Sequence, residues 1–550
     1  MRWTWWRVVL AGVAAGLVAA TAFALRFNAL GGTMGGFDND HFVHLVRTDW
    51  LRSGEQPLRD FAEAELRGAW PSLGYAASAW AQQWWGPTLV AEAYLTVGGL
   101  ALTAAGVFLL ALHLSQRWSV AFLAVACVLA SHPKLYNYEK LLVLCVGAVL
   151  VRIWILRPSW ATVAALAAWT AVAALVRHDY AVYVGAAAAT ALVLRSPAGL
   201  PVRARRLVVY GGLTLLLLVP SILWVQRHAG LTEYAQRTLE SVRGESSRTA
   251  LVWPRVRAAD GGSADNLAAL AYYGAWAVII AGGVVLAAQG ARGRLDQPAL
   301  ATGAALVVLA ALAGSFFLRG NLFARFGDAI VPIVLVAAWT AGAFGLPERG
   351  RRRLTPAVAP QAVLAVLAAL LFVGTEMHYE LEAAGFTSSW ERTRKRFADA
   401  RADLAKLPPQ VWSAEGVHGT MVASRYLAEC TAPADRVLVA TYAPEVPVLA
   451  RRLAAAGQGT FGLTFYESEA QQDEAVARLS RQSVPVVLGA FEDFEGEFAD
   501  DYRRVYQYVA AHYRDAGVIA VDGRPRFRVL VASDRTPVRS DPVFGLPCFR

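Results

Sequence analysis

Apolar residues in this chain fall in long blocks rather than in alternation. Eleven blocks stand out, near residues 7–26, 88–112, 118–132, 141–156, 160–176, 180–195, 207–226, 267–289, 299–317, 329–347 and 355–375. A bilayer core of about 30 Å takes about 20 helical residues, so each block reads as a membrane-crossing helix, those at 118–132, 141–156 and 180–195 being short for the task. Three long polar stretches remain, 27–87, 227–266 and 376–550. The pattern predicts a polytopic α-helical membrane protein of about eleven transmembrane helices over residues 1–375, a helical stalk over 376–412 and a C-terminal α/β domain over 413–550.

Inside the first polar stretch, residues 40–52 have helical periodicity. Phe42, Leu45, Val46 and Trp50 form one stripe, while Asp40, His44 and Arg47 share the opposite face. Such a helix is expected to lie on the membrane surface. Gly54 ends it, Pro57 to Phe61 turns the chain, and Trp70-Pro71 opens a second amphipathic segment with Tyr75, Trp80, Trp84 and Trp85 as an interfacial aromatic belt. The second stretch holds a polar helix from Thr232 to Arg243 and no recognisable motif. In the tail, Glu380 to Leu407 reads as a charged helix. Strands are expected at 436–442 and 484–488, helices at 447–456, 467–480 and 500–513, and a hairpin at 517–532 around Asp522-Gly523.

Composition removes several classes of function. Hydrophobic residues make up 56% of the 550 positions and charged residues only 17%, against about 25% charged in soluble domains. A cytosolic enzyme, a secreted enzyme and a nucleic-acid binder all fit poorly. The net charge of +10 is a matter of topology: with residue 1 inside, alternate connections hold fourteen arginines and two acids, Asp296 and Glu348. That asymmetry predicts a cytoplasmic N-terminus, with the three long stretches and the C-terminus outside. The first block is expected to be an uncleaved signal-anchor. Of four cysteines, Cys127 and Cys145 lie in predicted spans, while Cys430 and Cys548 fall in the exported tail, where an oxidising compartment lets them pair.

Candidate chemistry gathers at the external membrane edges. Asp38 and Asp40 follow the first span. Lys134 and Tyr136 lie in His132 to Lys140, Arg177 and Asp179 join two later blocks, and Arg319 and Arg325 lie before the block at 329–347. Cations on the side that topology leaves poor in cations suit an anionic head group. A divalent ion held by Asp38, Asp40, His41 and His44 is a minor alternative; no cofactor is otherwise expected.

The order of a first span, an Asp-bearing loop with two helices, many spans and a terminal α/β domain resembles the GT-C class of membrane glycosyltransferases, which includes the bacterial protein O-mannosyltransferases and the lipid A aminoarabinose transferases. Members carry an Asp-Glu pair with Gly fourteen residues after the Asp. Gly54 lies fourteen residues after Asp40, which selects Asp40 over Asp38, and His41 stands where the family has Glu. Arg59-Asp60-Phe61 and Pro71-Ser72-Leu73-Gly74-Tyr75 are similar to the Arg-Asp-Phe and Pro-Pro-Leu-x-Tyr run of bacterial members. The resemblance implies an inverting transfer of sugar from a polyprenyl-phosphate donor in the bilayer to a glycan, lipid or protein acceptor outside a bacterial inner membrane. Asp40, with Asp38 as fallback, would be the base; Arg177, Lys134, Arg319 and Arg325, with Asp179 and Tyr136 beside them, would hold phosphate. A lipid-linked saccharide transporter is the alternative reading, although transporters place ionisable groups at mid-membrane and carry repeats absent here.

Overall fold

The computed structural model describes residues 4–31, 37, 39–61, 73–195, 199–248, 253–318, 320, 322–344, 355–406, 419–462, 466–521 and 523–550. Asp38 and Arg319 lie outside them.

The described helices begin with α1 (Trp5–Asn28), α2 (Asn39–Arg52), α3 (Leu73–Trp85), α4 (Leu89–Ser115) and α5 (Trp118–Ala130). They continue with α6 (Tyr138–Leu156), α7 (Trp160–Val176), α8 (His178–Leu194), α9 (Leu200–His228) and α10 (Leu231–Arg248). Then come α11 (Ala264–Ala291), α12 (Gln297–Ala313), α13 (Leu322–Phe344) and α14 (Thr355–Gly374). A helix covers each of the eleven apolar blocks, but their lengths differ. Six are long and apolar enough to cross a membrane alone: α1, α4, α9, α11, α12 with its 3₁₀ extension to Leu318, and α13. A seventh forms if α14 is counted with α15 (Met377–Ala383), from which a 69° bend separates it. Among the described residues, helices of full spanning length are thus fewer than the eleven apolar blocks. With 13 residues, α5 is only about 20 Å long at 1.5 Å per residue, and α7 and α8 have 17 residues each.

α13 is the hub of the bundle. Nearly every side chain from Leu322 to Ala341 is buried, against α4, α5, α6, α11, α12 and α14. Gly99 lets α4 and α6 close up: a Cβ there would lie 2.3 Å from the ring of Tyr138. That contact fixes the start of α6 and the 3₁₀ turn Leu135–Asn137 just before it.

The expected charged helix at 380–407 breaks in two, α15 and α16 (Trp390–Leu404), because Gly385 takes a left-handed turn at φ +82°. Beyond it lies the α/β domain: α17 (Gly419–Cys430), β1 (Arg436–Ala440), α18 (Glu445–Ala450), β2 (Leu453–Ala454), α19 (Glu469–Leu479) and β3 (Val486–Ala490), then α20 (Glu497–Asp501), α21 (Arg503–His512), β4 (Tyr513–Val521), β5 (Arg524–Ala532), β6 (Arg539–Ser540) and β7 (Pro547–Cys548). The main sheet has the order β2-β1-β3-β5-β4, with β1 parallel to β2 and β3 and the other pairs antiparallel. Successive residues of β1 and β3 alternate between two cores. Val437, Val439, Val486 and Leu488 pack with Tyr426 and Leu427 of α17; Leu438, Val487 and Leu530 pack with Leu479, Val505 and Val509 of α19 and α21. The helix expected at 447–456 stops at Ala450, where Arg451 adopts φ 54°. α17 was not anticipated. Cys430 and Cys548 are joined in a disulfide with their Cα atoms 4.2 Å apart, tying α17 to the last strand across 118 residues.

α2 departs from its expected place. Its stripe of Phe42, Leu45, Val46 and Trp50 is fully buried, against α18, β2 and α3. Trp50 packs on Phe61 and donates its Nε1–H to the carbonyl of Ala454 at 3.1 Å. The apolar face therefore clamps the α/β domain instead of facing lipid. α3 keeps the interfacial character that its tryptophans predict, with Trp80, Trp84 and Trp85 all at least half exposed.

Candidate functional site

Asp40 opens α2 from its first turn, where a carboxylate is favoured by the unpaired N–H groups and the helix dipole. It is half-buried and holds hydroxyls from two distant parts of the chain. Tyr136, in the 3₁₀ turn before α6, donates to Oδ2 at 2.9 Å. Tyr442, just past the carboxyl end of β1, donates to Oδ1 at 2.8 Å. In open α/β sheets that end of the parallel strands is where ligands are usually met. A carboxylate offers about four lone-pair sites; the two hydroxyls occupy one on each oxygen and fix its plane.

Around this centre the rest of α2 is tightly held. The His44 ring stacks on Tyr136, 5.7 Å between centroids, and lies 5.4 Å from Tyr75. Arg47, buried, donates to the Tyr75 hydroxyl at 2.5 Å. His41, where the resembled family has Glu, turns into the core: its Nε2 is 2.8 Å from Oε1 of Glu92 on α4, and Ser78 of α3 donates to the same oxygen at 3.1 Å. Of the set proposed for a divalent ion, His41 is fully buried with its Nε2 on Glu92 and His44 stacks on Tyr136, so these two do not fit it; Asp38 lies outside the described residues.

Cations follow from Tyr136 outward. The Nζ of Lys134 lies 5.6 Å and that of Lys140 5.5 Å from the Tyr136 ring centre. Lys140 is nearly buried and donates to Asp328 at 3.1 Å, and Arg325 stands 3.7 Å from the other oxygen of Asp328. Pro332 sits four residues past Asp328 within α13; having no N–H, it cannot donate the helical hydrogen bond to the Asp328 carbonyl. Arg177 caps α7 and opens α8. Its Nε and Nη2 are held by Asp179 at 2.9–3.2 Å, and its guanidinium lies 5.4 Å from the ring centre of Phe316. Asp328 also acts on Arg177 through its charge. Of the sequence candidates, Asp40 and Lys134 therefore meet at Tyr136, Arg325 joins them through Asp328 and Lys140, and Arg177 with Asp179 stands one step further along.

The sequence reading missed Tyr442, Lys140, Asp328 and Glu92 as site residues. Tyr442 had a usable signal, being the last residue of an expected strand, 436–442. The others were part of quoted clusters or of a span, and only packing sorts them.

The fold is that of a polytopic helical membrane protein carrying a small α/β domain, and the layout on which the GT-C resemblance rests is present in it. No family model matches the chain, and no curated protein matches it in sequence. Among solved structures it is similar to the crystal structure of ArnT from Cupriavidus metallidurans bound to undecaprenyl phosphate, with a TM-score of 0.49 and 15% identity over 96% of this chain and 99% of that one.

Proposed function

We propose that this protein is an inverting membrane glycosyltransferase of the GT-C type, which moves a sugar from a polyprenyl-phosphate donor to an acceptor hydroxyl at the external face of a bacterial inner membrane. The observation that carries the reading is the pinned carboxylate of Asp40, held by one tyrosine from the helical bundle and one from the α/β domain, with Lys134 and Lys140 beside the ring of the first, Tyr136. Asp40 takes the proton of the acceptor hydroxyl as that oxygen attacks the anomeric carbon. The bond from that carbon to the phosphate oxygen breaks, and the leaving polyprenyl phosphate carries the electron pair away. A positioned base contributes about 10²–10⁴-fold. Charge grows on the phosphate as it leaves, and fixed cations stabilise it. Lys134 lies beside the Tyr136 ring whose hydroxyl bonds the base, and Arg325 is linked to it through Asp328 and Lys140; Arg319 and Asp38 keep their roles from the sequence pattern alone. Arg177 spends Nε and Nη2 on Asp179, so Nη1 is the part of its fork outside that pair and Asp179 is its positioning partner. Tyr442, just past β1, brings the α/β domain into this proposed active site.

The test is a comparison of cell-envelope glycans and glycolipids by mass spectrometry with and without the protein. A sugar present only with the protein, and lost with Lys134→Ala, supports transfer. An unchanged glycan inventory, with lipid-linked saccharide accumulating on the cytoplasmic side, argues for transport instead.

A further inference from the structure

The face of α2 turned away from Asp40 borders a second chamber. Asp49 and Arg52 lie half a turn or so around the helix from Asp40. With the α3–α4 connection and the segment after α18, they enclose a cavity of about 330 Å³. Three arginines line it, Arg52, Arg451 and Arg452, against the single acid Asp49.

The cations are incompletely neutralised. Arg52 lies 3.4 Å from Asp49 and gives a second bond to Gln82 at 3.0 Å. Arg452 is buried, and its five hydrogen bonds all go to carbonyls or a hydroxyl: Thr431, Ala450, Arg451 and Ala428. Among the described residues Arg451 has no ion pair. It holds a left-handed conformation, φ 54°, at the end of α18, a costly state for a side-chain-bearing residue that brings it to the cavity wall. The start of the 27-residue helix α4 adds to the field: Thr88 lines the cavity, and its side chain does not cap the helix.

We infer that this cavity is an anion site that takes a phosphate-bearing group at the membrane edge, separate from the Asp40 centre and back to back with it across α2. The fork of Arg451 and the Nε–Nη2 edge of Arg52, which bonds Asp49 and Gln82 through Nη1, can meet a phosphate, while Arg452, its five N–H groups already spent, adds only its charge. The group is either a lipid headgroup or a soluble phosphate.

Residue-resolved arginine modification tests this on the full chain. The protein in phosphatidylcholine nanodiscs is treated with phenylglyoxal, with and without inorganic phosphate, and each arginine is read by mass spectrometry, with exposed Arg526 as control. Phosphate at twice its dissociation constant should slow modification of Arg451 and Arg52 about threefold and leave Arg526 unchanged. Arg451→Glu should abolish the protection of Arg52. The same protection from phosphatidylglycerol nanodiscs without added phosphate assigns the site to a lipid headgroup; protection by free phosphate alone assigns it to a soluble ligand. Equal rates at Arg451 and Arg52 in every condition overturn the inference. Asp40→Asn should retain the protection, so a failure of the transferase reading leaves this result standing.

Discussion

Tyr442 reaches Asp40 across 402 residues of sequence, and Tyr136 across 96. A hydrogen bond to a charged group is worth about 1.5–3 kcal/mol, and removing the hydroxyl leaves the carboxylate less firmly oriented. Tyr442→Phe and Tyr136→Phe should therefore each lower kcat about tenfold or more, with carrier KM little changed. A variant with unaltered kcat would show that the bond is only packing. Of this centre, Asp40, Tyr136 and Lys134 were legible in the sequence, because an acid beside a span and a cation on the cation-poor side are both local signals. Tyr442 was not singled out, because its partner is fixed only when the α/β domain docks. His41 and Glu92 were opaque for the same reason: one sits near the start of α2 and the other in the first turn of α4, and only their 2.8 Å contact shows that they are buried together.

The elements were legible wherever periodicity alone decides them, and less so where a single residue sets an end. The apolar blocks became helices; the lengths of α5, α7 and α8, and the stops at Arg451 and Gly385, depend on local conformation that hydropathy does not encode. The stripe of α2 was read correctly as apolar, but its partner is protein. Trp50→Ala should remove that clamp at a cost of about 3–5 kcal/mol, seen as a lower unfolding temperature and greater protease sensitivity of the α/β domain. The sharp turn after α14 is held by an ion cluster in which Arg26 of α1 lies 2.6 Å and His132 2.5 Å from Glu380. Burial alone would raise the Glu380 carboxyl, but Arg26 and His132 outweigh it and hold it at about 2, below the ordinary 4.5. A depressed carboxylate contributes stability that is present above its ordinary value and lost as pH falls from there toward about 2. The unfolding temperature of the wild type should thus begin to drop below about pH 4.5, with a shallower drop in Glu380→Gln; parallel curves would contradict the assignment. The disulfide from Cys430 to Cys548 closes a span of 118 residues, and such a loop is worth about 2–5 kcal/mol. Cys430→Ser with Cys548→Ser should lower the unfolding temperature by several degrees and leave the helical bundle intact.

At the scale of the whole molecule, transfer to an external acceptor requires the bundle, α2 and the α/β domain to meet on the external side. The arginine asymmetry predicts that side. A reporter active only in the cytoplasm, fused after Arg550, should be silent; activity there would put Asp40 on the wrong face for a donor presented outside. Whether Asp40 is the base of the sugar transfer is read directly from turnover by purified Asp40→Asn protein supplied with polyprenyl-phosphate sugar and acceptor. The substitution keeps the shape and removes the charge. Carrier binding should stay near normal while transfer falls at least about 100-fold, the low end for a general base. Wild-type turnover in Asp40→Asn, and in the double variant that also carries Asp38→Asn, would contradict the mechanism.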